Sequence, residues 1–145
     1  MSERLLVVKR LLPAAQEEVF SAWTDPRVMA RWFFAGTGWS AEVRNDLRIG
    51  GAYRVDMRSP EGRVYSQSGV YREILPCSRL IFTWSSELVQ DSLVVLEFLP
   101  RGRQTELVLV HHLPDDAELL AMHESGWVGC LANLEAISPG LSDQT

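Results

Sequence analysis

The sequence predicts an α+β domain: a curved, seven-stranded antiparallel sheet around a long C-terminal helix, with two short helices after the first strand. Three observations carry this. From Trp39 to His112 apolar and polar residues alternate with the period of two expected of half-buried strands. Turn chemistry interrupts that stretch at regular intervals, at Gly50-Gly51, Ser59-Pro60-Glu61-Gly62, Pro76-Cys77-Ser78, Ser85-Ser86 and Pro100-Arg101-Gly102. After Pro114 the period becomes helical and stays so for about five turns, until Pro139-Gly140.

The elements follow in order. Arg4 to Leu12 is rich in Leu and Val and stops at Pro13, where a backbone donor is lost, so it reads as a first strand. Gln16 to Trp23 carries Val19, Phe20 and Trp23 at helical spacing. Asp25-Pro26 starts a second short helix, because the carboxylate caps free amides and proline at the first helical position sacrifices none. Val28, Met29, Trp32 and Phe33 share one face of it. Strands then run near Trp39–Arg44, Ala52–Arg58, Val64–Leu75, Leu80–Ser85, Ser92–Leu99 and Thr105–His112, joined by short turns into an antiparallel meander. Asp115 and Glu118 have capping-box spacing before the long helix, whose stripe is Leu119, Met122, His123, Gly126, Trp127, Cys130, Leu131, Leu134 and Ile137. Residues 1–138 form one domain on this reading, with a short tail at 139–145.

At 145 residues the chain buries a single core without needing disulfides or metal, and no metal site or cofactor is expected. Its two cysteines, Cys77 and Cys130, lack metal-ligand spacing and read as reduced. A formal charge of -5 argues against a nucleic-acid partner, which needs clustered Lys and Arg, and against an anionic membrane surface. The N-terminal residues lack the apolar run of a signal peptide, and no stretch reaches the roughly 20 apolar residues of a membrane span. No membrane insertion is expected, and a cytoplasmic location is.

Such a sheet has more apolar inner face than one helix covers, unless it curls, and that geometry tends to leave a cavity. Alternation places Tyr53, Val55 and Met57 on the inner face of one strand, Phe82 and Trp84 on another, and Leu107, Leu109 and His111 on the last. Met122, His123, Trp127 and Leu131 face them from the helix. Trp32, Phe34 and Trp39, with Phe33 as a further flank outside the contact set, bracket the Ala35-Gly36-Thr37-Gly38 linker, where they would form the rim of an opening. These fifteen residues are the candidate ligand contacts, against the plainer reading that they fill a core. His111 would take a ligand carbonyl or act as acid or base, unless it is bonded to backbone or to a helix residue, and a pairing with His123 is conceivable. Gly50-Gly51 reads as a bend in the sheet, since no phosphate-binding glycine pattern surrounds it. Gly126 and Gly129 weaken a helix, so close packing or room for a ligand is expected there.

Several segments resemble the Hsp90-ATPase-activator-like family of the START-like, helix-grip superfamily. They are Ala22-Trp23-Thr24-Asp25-Pro26 with Arg31-Trp32, Gly50-Gly51-Ala52-Tyr53-Arg54, Gly69-Val70-Tyr71-Arg72-Glu73-Ile74, Arg79-Leu80-Ile81-Phe82-Thr83-Trp84, Thr105 to His111, and Gly126-Trp127 with Leu131 and Leu134. The resemblance spans about Leu5 to Ile137. It implies a helix-grip fold and a lipophilic cavity without naming a ligand. Eukaryotic Hsp90 activators carry an additional N-terminal domain beyond the segment resembled, which weighs against a chaperone partner.

The functional expectation is therefore binding of a hydrophobic small molecule, lipid-like or aromatic, between sheet and helix. The alternatives are an enzyme of cyclase, dehydratase or hydrolase type using the same cavity, and an interaction module of the chaperone-cofactor kind. Exposed rim aromatics would also support a homodimer.

Overall fold

The computed structural model describes residues 2–144; the first residue of the expected domain and the last of the expected tail lie outside them. Strand β1 (Glu3–Leu12) is followed by α1 (Gln16–Thr24) and α2 (Pro26–Met29). The meander β2 (Ser40–Asn45), β3 (Ala52–Arg58), β4 (Val64–Leu75), β5 (Arg79–Trp84), β6 (Ser92–Arg101) and β7 (Gln104–Pro114) comes next. Helix α3 (Ala117–Ile137) then crosses the sheet, and a 3-10 turn, Ser138–Gln144, ends the described chain with Leu141 buried. The sheet has seven antiparallel strands in the order β1-β7-β6-β5-β4-β3-β2, so the expected α+β architecture holds in full.

Each element is fixed by local chemistry. The Glu18 carboxylate accepts the Ala15 amide at 3.0 Å and closes the start of α1. Asp25 accepts the Arg27 amide at 2.9 Å in front of Pro26, as the Asp-Pro pair predicts. At α3 the sequence reading is corrected by one residue. Asp116 is the cap, accepting Leu119 N–H at 3.0 Å, because Asp115 turns back to an ion pair with Arg4 on β1. Gln16 at the head of α1 donates to the Cys77 and Phe98 carbonyls, and Thr105 donates to that of Ala14, so the short helices are tied to the sheet.

The inner faces of β6 and β7 form the dense half of the core. Val94, Leu96 and Phe98, with Leu107, Leu109 and Leu113, are shielded completely or nearly so under α1 and α3. The other half of the sheet bends away at β4. A bulge between Tyr71 and Glu73 breaks the register with β5, which increases local twist. Gly50 adopts φ 83°, and the Gly50-Gly51 turn hydrogen-bonds Tyr71 on both sides, so it is the bend expected of that pair. No helix among the described residues is long and apolar enough to cross a membrane.

Candidate functional site

Where the sheet bends away, the first half of α3 meets it through Trp127 and leaves space beside that contact. A recess of about 260 Å³ remains between α3, the inner faces of β3 to β5, and the segment after α2. Its floor is Trp84 and Trp127, whose rings lie 4.9 Å apart, with Phe33 stacked on Trp84 at 6.0 Å. Trp39 and Tyr65, with ring centres 5.6 Å apart, Met57 and Gln67 form the sheet wall. Leu88, on the loop between β5 and β6, and Met122 stand at the mouth, 54% and 50% exposed.

The two helix glycines differ in their surroundings. A side chain at Gly129 would press on the Ala35 carbonyl, so that glycine permits the close approach of the linker. A Cβ at Gly126 would meet nothing, and Gly126 lines the recess. The linker is fastened to α3 besides: Asn133 donates to the Phe34 carbonyl at 2.9 Å and reaches that of Trp32, and Cys130 donates to Phe34. Burial pushes the Cys130 thiol up to about 12, so it is no nucleophile.

Six of the fifteen candidate contacts line the recess: Trp39, Met57, Trp84, Met122, His123 and Trp127. The other nine lie elsewhere, each for a visible reason. Trp32 is sealed beneath α1, its indole donating to the Ala22 carbonyl at 3.0 Å, and Phe34 holds the linker to α3 through its carbonyl. Leu107, Leu109 and Leu131 are fully buried in the dense core, and Val55 is fully buried on β3. Tyr53 and Phe82 border a gap of only about 10 Å³ beside Trp23 and Tyr71, too small for more than a water molecule. The tyrosine hydroxyls are used internally: Tyr53 donates to the Thr83 carbonyl, and Tyr71 accepts from Asn45. Burial raises both phenols above their ordinary value. Phe33, expected only as a flank of the linker, also lines the recess, as do Tyr65 and Gln67, which the sequence does not single out.

His111, the ninth, is fully buried behind the recess and belongs to a closed chain of hydrogen bonds. The Trp127 indole can only donate, and it does so to His111 Nδ1 at 3.1 Å. Nε2 must then carry the proton, which it gives to Ser92 Oγ at 2.8 Å, while Ser92 donates to the Trp84 carbonyl at 2.7 Å. Every polar group of the set is satisfied with a neutral imidazole. Burial above all, and then the neighbouring His123 and His112, push the His111 pKa down to about 3. A residue whose one lone pair is already taken is not a general base. The conceivable His111–His123 pairing is not a hydrogen bond: the rings are perpendicular, 5.3 Å apart, and His123 Nδ1 donates to the Leu119 carbonyl at 2.9 Å.

Trp127→Phe, which keeps a ring but leaves His111 Nδ1 buried without a donor, is expected to cost about 2 kcal/mol in urea unfolding. A change below about 0.5 kcal/mol would show that the indole bond adds nothing.

A bent antiparallel sheet gripping a long C-terminal helix, with a recess where the two diverge, defines a START-like helix-grip protein. The sequence profile described as Activator of Hsp90 ATPase homolog 1-like protein matches residues 13–138, and the chain belongs to that family. Among solved structures, a Chromobacterium violaceum protein is 26% identical, with a TM-score of 0.83 over 92% of this chain and 96% of that one. The CalU16 protein of Micromonospora echinospora is 30% identical, with a TM-score of 0.73 over 97% of this chain and 80% of that one. An AHSA1-like protein of Aeromonas hydrophila, 23% identical over 95% of both chains, shares the fold with a TM-score of 0.81. Among curated protein sequences, none matches the chain.

Proposed function

We propose that the protein binds a hydrophobic small molecule in the recess between β3 to β5 and the first half of α3. One observation supports this reading: a recess of about 260 Å³, lined mostly by aromatic and aliphatic side chains, lies beside the buried core. Filling it with methionine or leucine would have added burial worth about 25 cal/mol per Å², yet Gly126 occupies the wall and leaves it open. The rigid Trp and Phe faces lose little freedom on meeting a ligand, while Met57 and Met122 adapt to its outline.

Gly126→Leu tests the reading. Its side chain projects where a Cβ meets nothing, so the variant is expected to fold, with a melting temperature at or above that of the natural protein. Native mass spectrometry after mild purification is expected to show a bound apolar molecule on the natural protein and at least a ten-fold smaller bound fraction on Gly126→Leu. Equal occupancy of both would remove the recess as the site.

A further inference from the structure

We propose that the face of the sheet turned away from the helices is where two copies of this chain pair, sheet against sheet, through Val7, Ile81, Val95 and Val110. This surface is separate from the recess, which opens on the helix side of the sheet.

An antiparallel sheet with helices on one side ordinarily alternates apolar inward and polar outward. One half of this sheet keeps to that rule: Glu42, Arg44, Arg54, Asp56, Arg58 and Ser66, on β2 to β4, point away from the core. The strands β5, β6, β7 and β1 break it. Their register sets Val7 opposite Val110, Val110 opposite Val95 and Val95 opposite Ile81, an apolar row across four strands. Leu5 and Leu93 flank His112 in the next row, and Leu11 and Leu99 flank Glu106 further along. Leu5, Val7 and Leu11 are 57%, 47% and 49% exposed, and the others are half-buried. Helices α1 and α3 cover the opposite face, over Val94, Leu96 and Leu109.

Shape and charge point to a second copy as the occupant. The register runs unbroken from β1 through β5, and the bulge lies beyond it, between β4 and β5. The apolar half is therefore a regular sheet surface, and two such surfaces pack about 10 Å apart at about −30°, the angle their own twist sets. The charges around the rows are already paired within the chain: Arg79 with Glu73 and Glu97, Arg101 with Glu106, and His112 with Glu3. Among the described residues Lys9 is the one charged side chain on this face without an ion pair. Such a face meets its own copy across a two-fold axis with little repulsion, and offers almost no counter-charge to a strongly charged partner.

Area sets the strength. Four strands about 4.8 Å apart, with rows from Leu5 to Leu11 at about 3.4 Å per residue, make the face about 20 Å on a side. With its rim, two copies bury about 1,000 Å² in all, the lower end for a specific interface, so a weak and reversible dimer is expected.

Sedimentation velocity of the natural protein is the test. At about 100 μM a species of twice 16.4 kDa is expected, giving way to the monomer near about 1 μM. Val110→Glu and Val95→Lys each put a charge in the middle of the face at a solvent-facing strand position, so both are expected to fold. Each is expected to weaken association about ten-fold or more. Glu42→Lys, on the polar half of the sheet, is expected to leave association unchanged. Should the valine variants fail to fold, isotope-filtered NMR of the natural protein decides: methyl contacts are expected between Val7, Val95 or Val110 of a labelled chain and those of an unlabelled one. A natural protein that is wholly monomeric at about 100 μM overturns the proposal, as does a dimer that the folded valine variants leave intact, or filtered spectra without those contacts. A monomer that co-floats with phosphatidylcholine vesicles, and loses them on Val110→Glu, would give the face to a membrane and overturn it too.

Discussion

Gly69→Ala is expected to destabilise the protein by about 3 kcal/mol or more, enough to leave much of the chain unfolded at 37 °C. Gly69 lies on β4 opposite β5, and a Cβ there would sit inside the van der Waals surface of the Thr83 carbonyl oxygen and only 2.7 Å from Thr83 Oγ1. The obstructing atoms are backbone within a paired strand, so no rotamer change relieves them. Both of those Thr83 oxygens are already committed: Oγ1 accepts Val70 N–H at 2.9 Å, and the carbonyl accepts the Tyr53 hydroxyl. Room for one methyl group therefore requires β4 and β5 to separate where three strands are cross-linked. Gly126→Ala is the matched control, since its Cβ meets open space; it is expected to be neutral or to stabilise by up to about 1 kcal/mol. Thermal melting of both variants decides the matter. A melting temperature for Gly69→Ala within about 2 °C of the natural protein would refute the close approach of the strands.

Acid is expected to unfold this protein through His111. In the unfolded chain the imidazole regains its ordinary value of 6.5, whereas in the fold it stays neutral down to about 3. Between those values the unfolded state binds the extra proton, so stability falls as the pH falls. The slope approaches about 1.4 kcal/mol per pH unit from this one residue. Above about pH 7 the contribution is complete, and below about pH 3 it is gone. His111→Gln, which offers an acceptor to Trp127 and a donor to Ser92 without titrating, is expected to be less stable at pH 7. From pH 7 to pH 4 it should lose less stability than the natural protein, by at least about 2 kcal/mol. Urea unfolding at pH 7, 5.5 and 4 reads both curves, and parallel curves would mean that His111 is already charged or exposed in the folded state.

The strands were legible because alternation and turn chemistry act over a few residues and agree with one another, as in Ala52–Arg58 between Gly50-Gly51 and Ser59-Pro60. The inward direction of His111 followed from the same period. Its neutral, fully bonded state did not, because the donor sits on α3 and the acceptor on β6. Cap placement failed by one residue at Asp115-Asp116, where two adjacent carboxylates have equal capping power and a long-range ion pair with Arg4 chooses between them. The recess was the hardest to read. Gln67 is polar yet faces inward, and the bulge at Tyr71/Glu73 shifts the phase of β4, so composition alone assigns the wrong side. Trp32 and Phe33 are neighbours about 100° apart on a helical turn; which of them reaches the hollow depends on the indole bond to Ala22.

The pairing of β1 with β7 sets the order in which this molecule can be assembled. Glu3 lies opposite Pro114 and Leu12 opposite Thr105, so β1 is synthesised before the other six strands of its sheet and has no partner until β7 has emerged. The meander from β2 to β6 can zip from hairpin to hairpin meanwhile, each step closing a short loop. Leu5, Val7 and Leu11, which stay exposed even after docking, travel beside the still bare Leu6, Val8 and Leu12 throughout that wait. A nascent chain carrying such an unpaired strand is most open to mispairing with its neighbours before residue 114 is complete.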